Sequence, residues 1–239
     1  MLEALFWGLV TAGSLWMGAA LASYTRLSQR MIGLAMAFGA GALIAAVAYE
    51  LVIDAFETDL RLASIGFACG GLTFYVGDVL IGRMGGEGRK SITGASQLAG
   101  SASAIVLGTV LDGIPESFVL GSSLLQEGAV PTAVVVGVFV SNVPEALSGS
   151  AGLLQAGWSH FRVFRMWTFV VAASVLATVL GYALLDEMGS SGGAFVTAYA
   201  AGALLVMLAD TLMPEAFELG GREAGLLTAL GFAVGFGLS

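Results

Sequence analysis

The sequence predicts an all-α, polytopic membrane protein: one domain, residues 1–239, of eight transmembrane helices in a three-plus-two-plus-three inverted-repeat arrangement. Three observations predict this class. Hydrophobic residues make up 57% of the chain and charged residues 11%, with a mean hydropathy of +0.91. A soluble domain carries about 25% charged residues, so this chain has too few to solvate a globular surface. Apolar stretches near the ~20 residues needed to cross a bilayer fall at about 4–23, 31–53, 62–82, 102–122, 130–154, 166–184, 194–213 and 224–238. These runs are continuous and do not alternate, as helices require and barrel strands do not.

The segments differ in what interrupts them. Segment one follows Met1-Leu2-Glu3, which has no basic leader, so it is expected to stay as a span. Segment two carries Glu50, with Asp54 and Glu57 at helical spacing beyond it. Segment three holds one acid, Asp78, which suits either a pathway or packing. The connection 83–101 is basic and rich in glycine and serine, a flexible linker or a lipid head-group contact. Segments four and five each contain Pro-Glu near their middle. Segment six has no acid between Met166 and Leu184. Segment seven ends in Asp210, Pro214, Glu215 and Glu218, and segment eight is short. Trp7, Trp16, Trp158 and Trp167 fall mostly near segment ends, where aromatic belts form.

Lysine and arginine set the orientation. Arg26, Arg30, Arg83, Arg89, Lys90, Arg162, Arg165 and Arg222 follow odd-numbered segments, and Arg61 alone follows an even one. Eight of nine basic residues thus share a side, expected to be cytoplasmic, with both termini outside. The expected location is the cytoplasmic membrane of a prokaryotic cell.

Nine basic and seventeen acidic residues leave a net charge of −8. That charge disfavours nucleic acid and suits cations. Cys69 is the single cysteine and His160 the single histidine, so neither an intrachain disulfide framework nor a His-rich metal site exists. His160 lies in a basic loop and reads as interfacial. No nucleophile–base pair, phosphate loop or CxxC is present, which argues against an enzyme, a cofactor or an ATP-driven pump.

Internal similarity links segments two and seven at an offset of 161, Ala37-Phe-Gly-Ala-Gly-Ala-Leu over Ala198-Tyr-Ala-Ala-Gly-Ala-Leu, through Ala55-Phe-Glu over Ala216-Phe-Glu. Gly66-Phe-Ala-Cys-Gly likewise lies over Gly231-Phe-Ala-Val-Gly, with GxxxG spacing in both. An even segment matching an odd one must cross in the opposite sense. Inverted repeats of this kind mark secondary transporters, although alanine- and glycine-rich helices also resemble one another by chance.

The chemistry concentrates in segments four and five. Asp112 and Glu116 are four apart, on one helix face. Pro115 between them lacks an N–H and frees the Leu111 carbonyl. In segment five, Ser141, Asn142 and Glu145 recur around Pro144, which frees the Val140 carbonyl. If the two helices face each other, Asp112, Glu116 and Glu145 meet, with Ser141 and Asn142 beside them. Three carboxylates in a low-dielectric site need neutralising by protons or by a cation, and oxygen ligands suit a divalent one. The alternative is that each Pro-Glu is a kink carrying a protonated, hydrogen-bonded glutamate. Glu50 and Asp54 outside, and Asp210 and Glu215 inside, would place a negative mouth at each end and concentrate cations there; solvated helix ends would read the same way.

These features together resemble the ZIP (Zrt/Irt-like) family of metal transporters: eight segments, Pro-Glu helices at positions four and five, and the Ala-Gly-Ala-Leu pattern of segments two and seven. The resemblance covers essentially the whole chain. The family's fourth helix typically reads His-Asn-x-Pro-Glu-Gly; here Asp112, Gly113, Ile114, Pro115, Glu116 and Ser117 occupy those places. The resemblance implies that Glu116 and Glu145 are metal ligands and that Asp112 replaces a ligating histidine. Gly113 cannot replace the asparagine, no acid in segment six serves a second metal, and a cytoplasmic His-rich loop is absent. A mononuclear or altered site is therefore expected. Zn²⁺ is the first expectation, while an all-oxygen set leans toward Mn²⁺, Fe²⁺ or Mg²⁺. The resemblance also implies a homodimer and an elevator in which helices one, four, five and six move against the rest. Two other functions fit the residues: a proton-coupled antiporter of a monovalent cation or organic solute, and a non-transporting scaffold.

Overall fold

The structure, a computed structural model, describes residues 1–25, 27–86, 102–126, 132–188 and 190–239. Arg26, Arg89, Lys90 and the connection from residue 87 to 101 lie outside the described residues. Every regular element among the described residues is helical. Six helices are long and apolar enough to cross a membrane: α1 (Leu2–Tyr24), α2 (Gln29–Thr58), α3 (Leu60–Gly85), α5 (Thr132–Gln155), α6 (His160–Leu185) and α7 (Ser191–Gly220). Two more accompany them, α4 (Ala102–Gln126) and α8 (Glu223–Leu238).

The turns follow from local chemistry. Thr25 leaves α1 in an extended conformation while its N–H still bonds the Leu21 carbonyl. The Ser28 hydroxyl then accepts from the Met31 N–H and starts α2. Asp59 opens α3 by accepting from the N–H groups of Arg61 and Leu62, both at 3.1 Å. Ser159 opens α6 through the Arg162 N–H, after Gly157 at φ 86° turns the chain. In each case a short polar side chain satisfies an N–H that the helix itself leaves orphaned.

Inside the bundle, 67% of the most apolar window is buried in α2, α5 and α7 and only 22% in α3, so the first three form the interior and α3 the rim. Two helix pairs pack especially closely, α3 with α7 and α2 with α8. Both rely on glycine. A Cβ on Gly70 would lie 1.8 Å from the Tyr199 carbonyl oxygen, and one on Gly231 would lie 2.0 Å from that of Phe38. Without a side chain the two backbones come into direct contact.

Neither α2 nor α7 is uniformly α-helical. Each widens into a π-helical segment, Val47–Val52 in α2 and Leu208–Leu212 in α7. Glu50 lies in the first and Asp210 in the second. Both helices then continue, to Thr58 and to Gly220, well beyond the apolar stretches that end at 53 and 213.

A second core joins α1, α5 and α6 around Trp167, which is buried and donates its Nε1–H to Ser150 Oγ at 2.7 Å. Trp167→Phe leaves that buried hydroxyl with one partner fewer. Its expected effect is a loss of about 1–3 kcal/mol in stability, read as a lower unfolding midpoint in detergent.

Candidate functional site

The residues singled out by the sequence on α4 and α5 are all buried: Asp112 is 1% exposed, Glu116 2%, Ser141 0%, Asn142 6% and Glu145 5%. They sit near mid-length of helices that run unbroken through Pro115 and Pro144. Charged groups are almost never buried so deeply without partners, and Asp112, Glu116 and Glu145 each engage neighbouring groups.

Three other helices hold this region in place. Gly18 of α1 lies against α5 so closely that a Cβ would sit 2.3 Å from the Val143 carbonyl oxygen. Gly39 of α2 presses on the other side, where a Cβ would come within 2.8 Å of the Ser141 Cα. Asn142 Nδ2 donates to the Thr11 carbonyl of α1 at 3.3 Å, which also accepts from the Ser14 hydroxyl. Ser141 Oγ donates to its own helix, at the Val138 carbonyl. On α4, Gly113 faces α6, and a Cβ there would lie 3.1 Å from Ser174 Oγ.

Packing separates the two Pro-Glu helices more than their shared pattern suggests. α4 packs chiefly on α6, and α5 chiefly on α1 and α2, while α4 and α5 touch only sparsely. Among the described residues no three of His, Cys, Asp and Glu gather closely enough to hold a metal ion.

Among the described residues, the buried side-chain oxygens that take no hydrogen bond are Glu50 Oε2, Glu116 Oε1, Ser123 Oγ and Glu215 Oε2. The three glutamates engage neighbours through their remaining atoms. Of the mouth residues, Glu50 and Glu215 are half-buried, whereas Asp54 and Asp210 are exposed. His160 is exposed at the first turn of α6 and not in a loop, and its Nδ1 lies 3.1 Å from Ser23 Oγ.

Thr11 is the site contact that sequence reasoning missed. It acts through its backbone carbonyl, and an isolated threonine in an apolar helix usually satisfies its own hydroxyl, as Thr11 does on Trp7 at 2.9 Å. Ser174, 3% exposed in the segment without an acid, was equally silent. The chain matches no protein-family model, and no curated protein matches it.

Proposed function

We propose that this chain is a ZIP-type secondary transporter that carries divalent metal cations, Zn²⁺ first with Mn²⁺, Fe²⁺ or another divalent ion possible, into the cytoplasm. One observation carries the reading: Asp112, Glu116, Ser141, Asn142 and Glu145 are all buried at mid-length of two otherwise apolar helices. Ionisable groups at that depth mark ion pathways. The ion is drawn in past Glu50 and Asp54, held by the buried oxygens, and released past Asp210 and Glu215. A cleft of about 410 Å³ between α1, α2 and α5, lined by Thr25, Gln29, Leu147 and Gln155, reaches the turn between α1 and α2 and supports release at that end.

The eight-span, three-plus-two-plus-three plan belongs to the same reading. The π segments support it, since Val47 plus 161 is 208, the residue at which the second segment starts. The tight pairs also correspond. Gly41 lies closest to the Thr228 carbonyl with Phe232 next, and Gly202, 161 residues later, lies closest to the carbonyl of Phe67, 165 residues before Phe232, so the two contacts match to within one helical turn. Dense packing of α1 with α5 and α6, and of α4 with α6, supports a moving unit of those four helices. The homodimer rests on the family resemblance.

The test is ion uptake by proteoliposomes, comparing Zn²⁺, Mn²⁺ and Fe²⁺ by dye or radiotracer. Flux of none of them overturns the reading. Asp112→His should shift preference toward zinc, because imidazole suits Zn²⁺ better than Mn²⁺; an unchanged preference order would mean that residue 112 does not touch the ion. A second reading gains from the scarcity of gathered acids: a proton-coupled antiporter, with the carboxylates as relays. Protection from thermal unfolding by divalent ions, compared side by side with monovalent ones, separates the two.

A further inference from the structure

We propose that the corner between α5 and α6 binds the phosphate of an anionic phospholipid of the surrounding bilayer. The corner is built from Trp158, Phe161, Arg162 and Arg165. Arg162 lies over the Trp158 ring at 3.6 Å, and Arg165 lies over the Phe161 ring at 6.0 Å. Both arginines are exposed, and Phe161 is 75% exposed. Among the described residues neither guanidinium is paired with a carboxylate; the ion pair that does form joins Arg30, at the start of α2, to Glu223.

Charge distribution makes the corner unusual for this chain. Seventeen acids give a net charge of −8, yet none lies between Glu145 and Asp186. The stretch from Ala4 to Tyr49, which includes the neighbouring turn between α1 and α2, likewise has no acid of its own, and Glu223 reaches only its Arg30. The two turns are joined directly by the contact of His160 Nδ1 with Ser23 Oγ. At this corner, among the described residues, an acidic protein therefore presents two exposed guanidiniums that form no ion pair.

The aromatic residues say what meets that surface. Trp158 stands at the end of a membrane-length helix, where tryptophans sit at head-group depth, and the exposed Phe161 follows three residues later. A ring beneath a guanidinium orients it by cation–π attraction and leaves its N–H fork free for a bidentate acceptor such as a phosphodiester. A soluble anion would use the arginines and leave Phe161 in water. A lipid uses both, phosphate on the forks and acyl chain beside the ring. This inference stands on the membrane character of the helices and not on cation transport.

The protein is purified in neutral detergent with mixed phosphatidylglycerol and phosphatidylcholine, and retained lipids are counted by native mass spectrometry. Wild type should retain phosphatidylglycerol over phosphatidylcholine. Arg162→Gln with Arg165→Gln should weaken that retention about thirtyfold, from roughly one basic residue's surface attraction each. Phe161→Ser, a change at an exposed position, should weaken it severalfold and serves if the double variant unfolds. Arg61→Gln, outside this corner, should change nothing. Equal retention of the two lipids by wild type overturns the proposal. So does undiminished retention in the double variant, or in Phe161→Ser, or an equal loss in Arg61→Gln.

Discussion

Glu116→Gln and Glu145→Gln should each lower divalent-ion flux in proteoliposomes by at least about a hundredfold while leaving helix content unchanged. Removing a group that merely supports a metal ligand costs about 10–100-fold, so losing a ligating carboxylate costs more. Glutamine keeps the volume of a side chain only 2% or 5% exposed, so no cavity forms and a folding defect is not the route to lost flux. Glutamine also keeps a side-chain oxygen that accepts hydrogen bonds, so the groups that hold the carboxylate keep an acceptor. The two readouts should therefore diverge: transport falls and the unfolding midpoint holds. Full flux in both variants sinks the site assignment. A fall of both readouts together would assign the carboxylates to structure.

The second large effect concerns packing. Gly70→Ala and Gly231→Ala put a methyl group where backbone carbonyl oxygens of Tyr199 and Phe38 already stand, 1.8 and 2.0 Å from the new carbon. The helices must part, and overpacking of this kind costs about 1–3 kcal/mol, sometimes more. Gly13 and Gly237 have nothing within 4 Å of such a carbon. Alanine there should be neutral or stabilising by up to about 1 kcal/mol, because it is the better helix former. The measurement is the unfolding midpoint of all four variants in one detergent. Equal effects at the four positions would show that these helices are not in contact as described.

Hydropathy made the helices legible because the bilayer thickness dictates the length of an apolar run. It did not make their ends legible. The apolar stretch of α2 stops near Ile53, but the helix continues through Asp54 and Glu57 to Thr58, since acidic residues lower hydropathy without breaking hydrogen bonding. α6 begins at His160 and not near 166, because the Ser159 cap starts the helix before its apolar stretch begins. Neighbour relations were less legible still. In a soluble helix an apolar stripe shows which face is inside; here nearly every face is apolar. The shared Pro-Glu pattern suggested that α4 and α5 face each other, yet the close approaches are governed by Gly18, Gly39 and Gly113, which bring in α1, α2 and α6. Burial of the candidate acids followed from their position along the sequence. The Asn142 contact to the Thr11 carbonyl did not, because every helix residue has a carbonyl and nothing in the sequence marks which one a distant amide will meet.

The paired π segments bear on history. A π turn closes its hydrogen bonds over one residue more than an α turn, so a single inserted residue suffices to make one inside an established helix. Two independent insertions landing at matching points of two helices would be a coincidence. If one outer triplet of helices is a copy of the other, the bulge at Val47–Val52 and that at Leu208–Leu212 descend from a single event older than the duplication. The irregular turn would then have been present in an ancestral three-helix unit, whose two copies cross the membrane in opposite orientations.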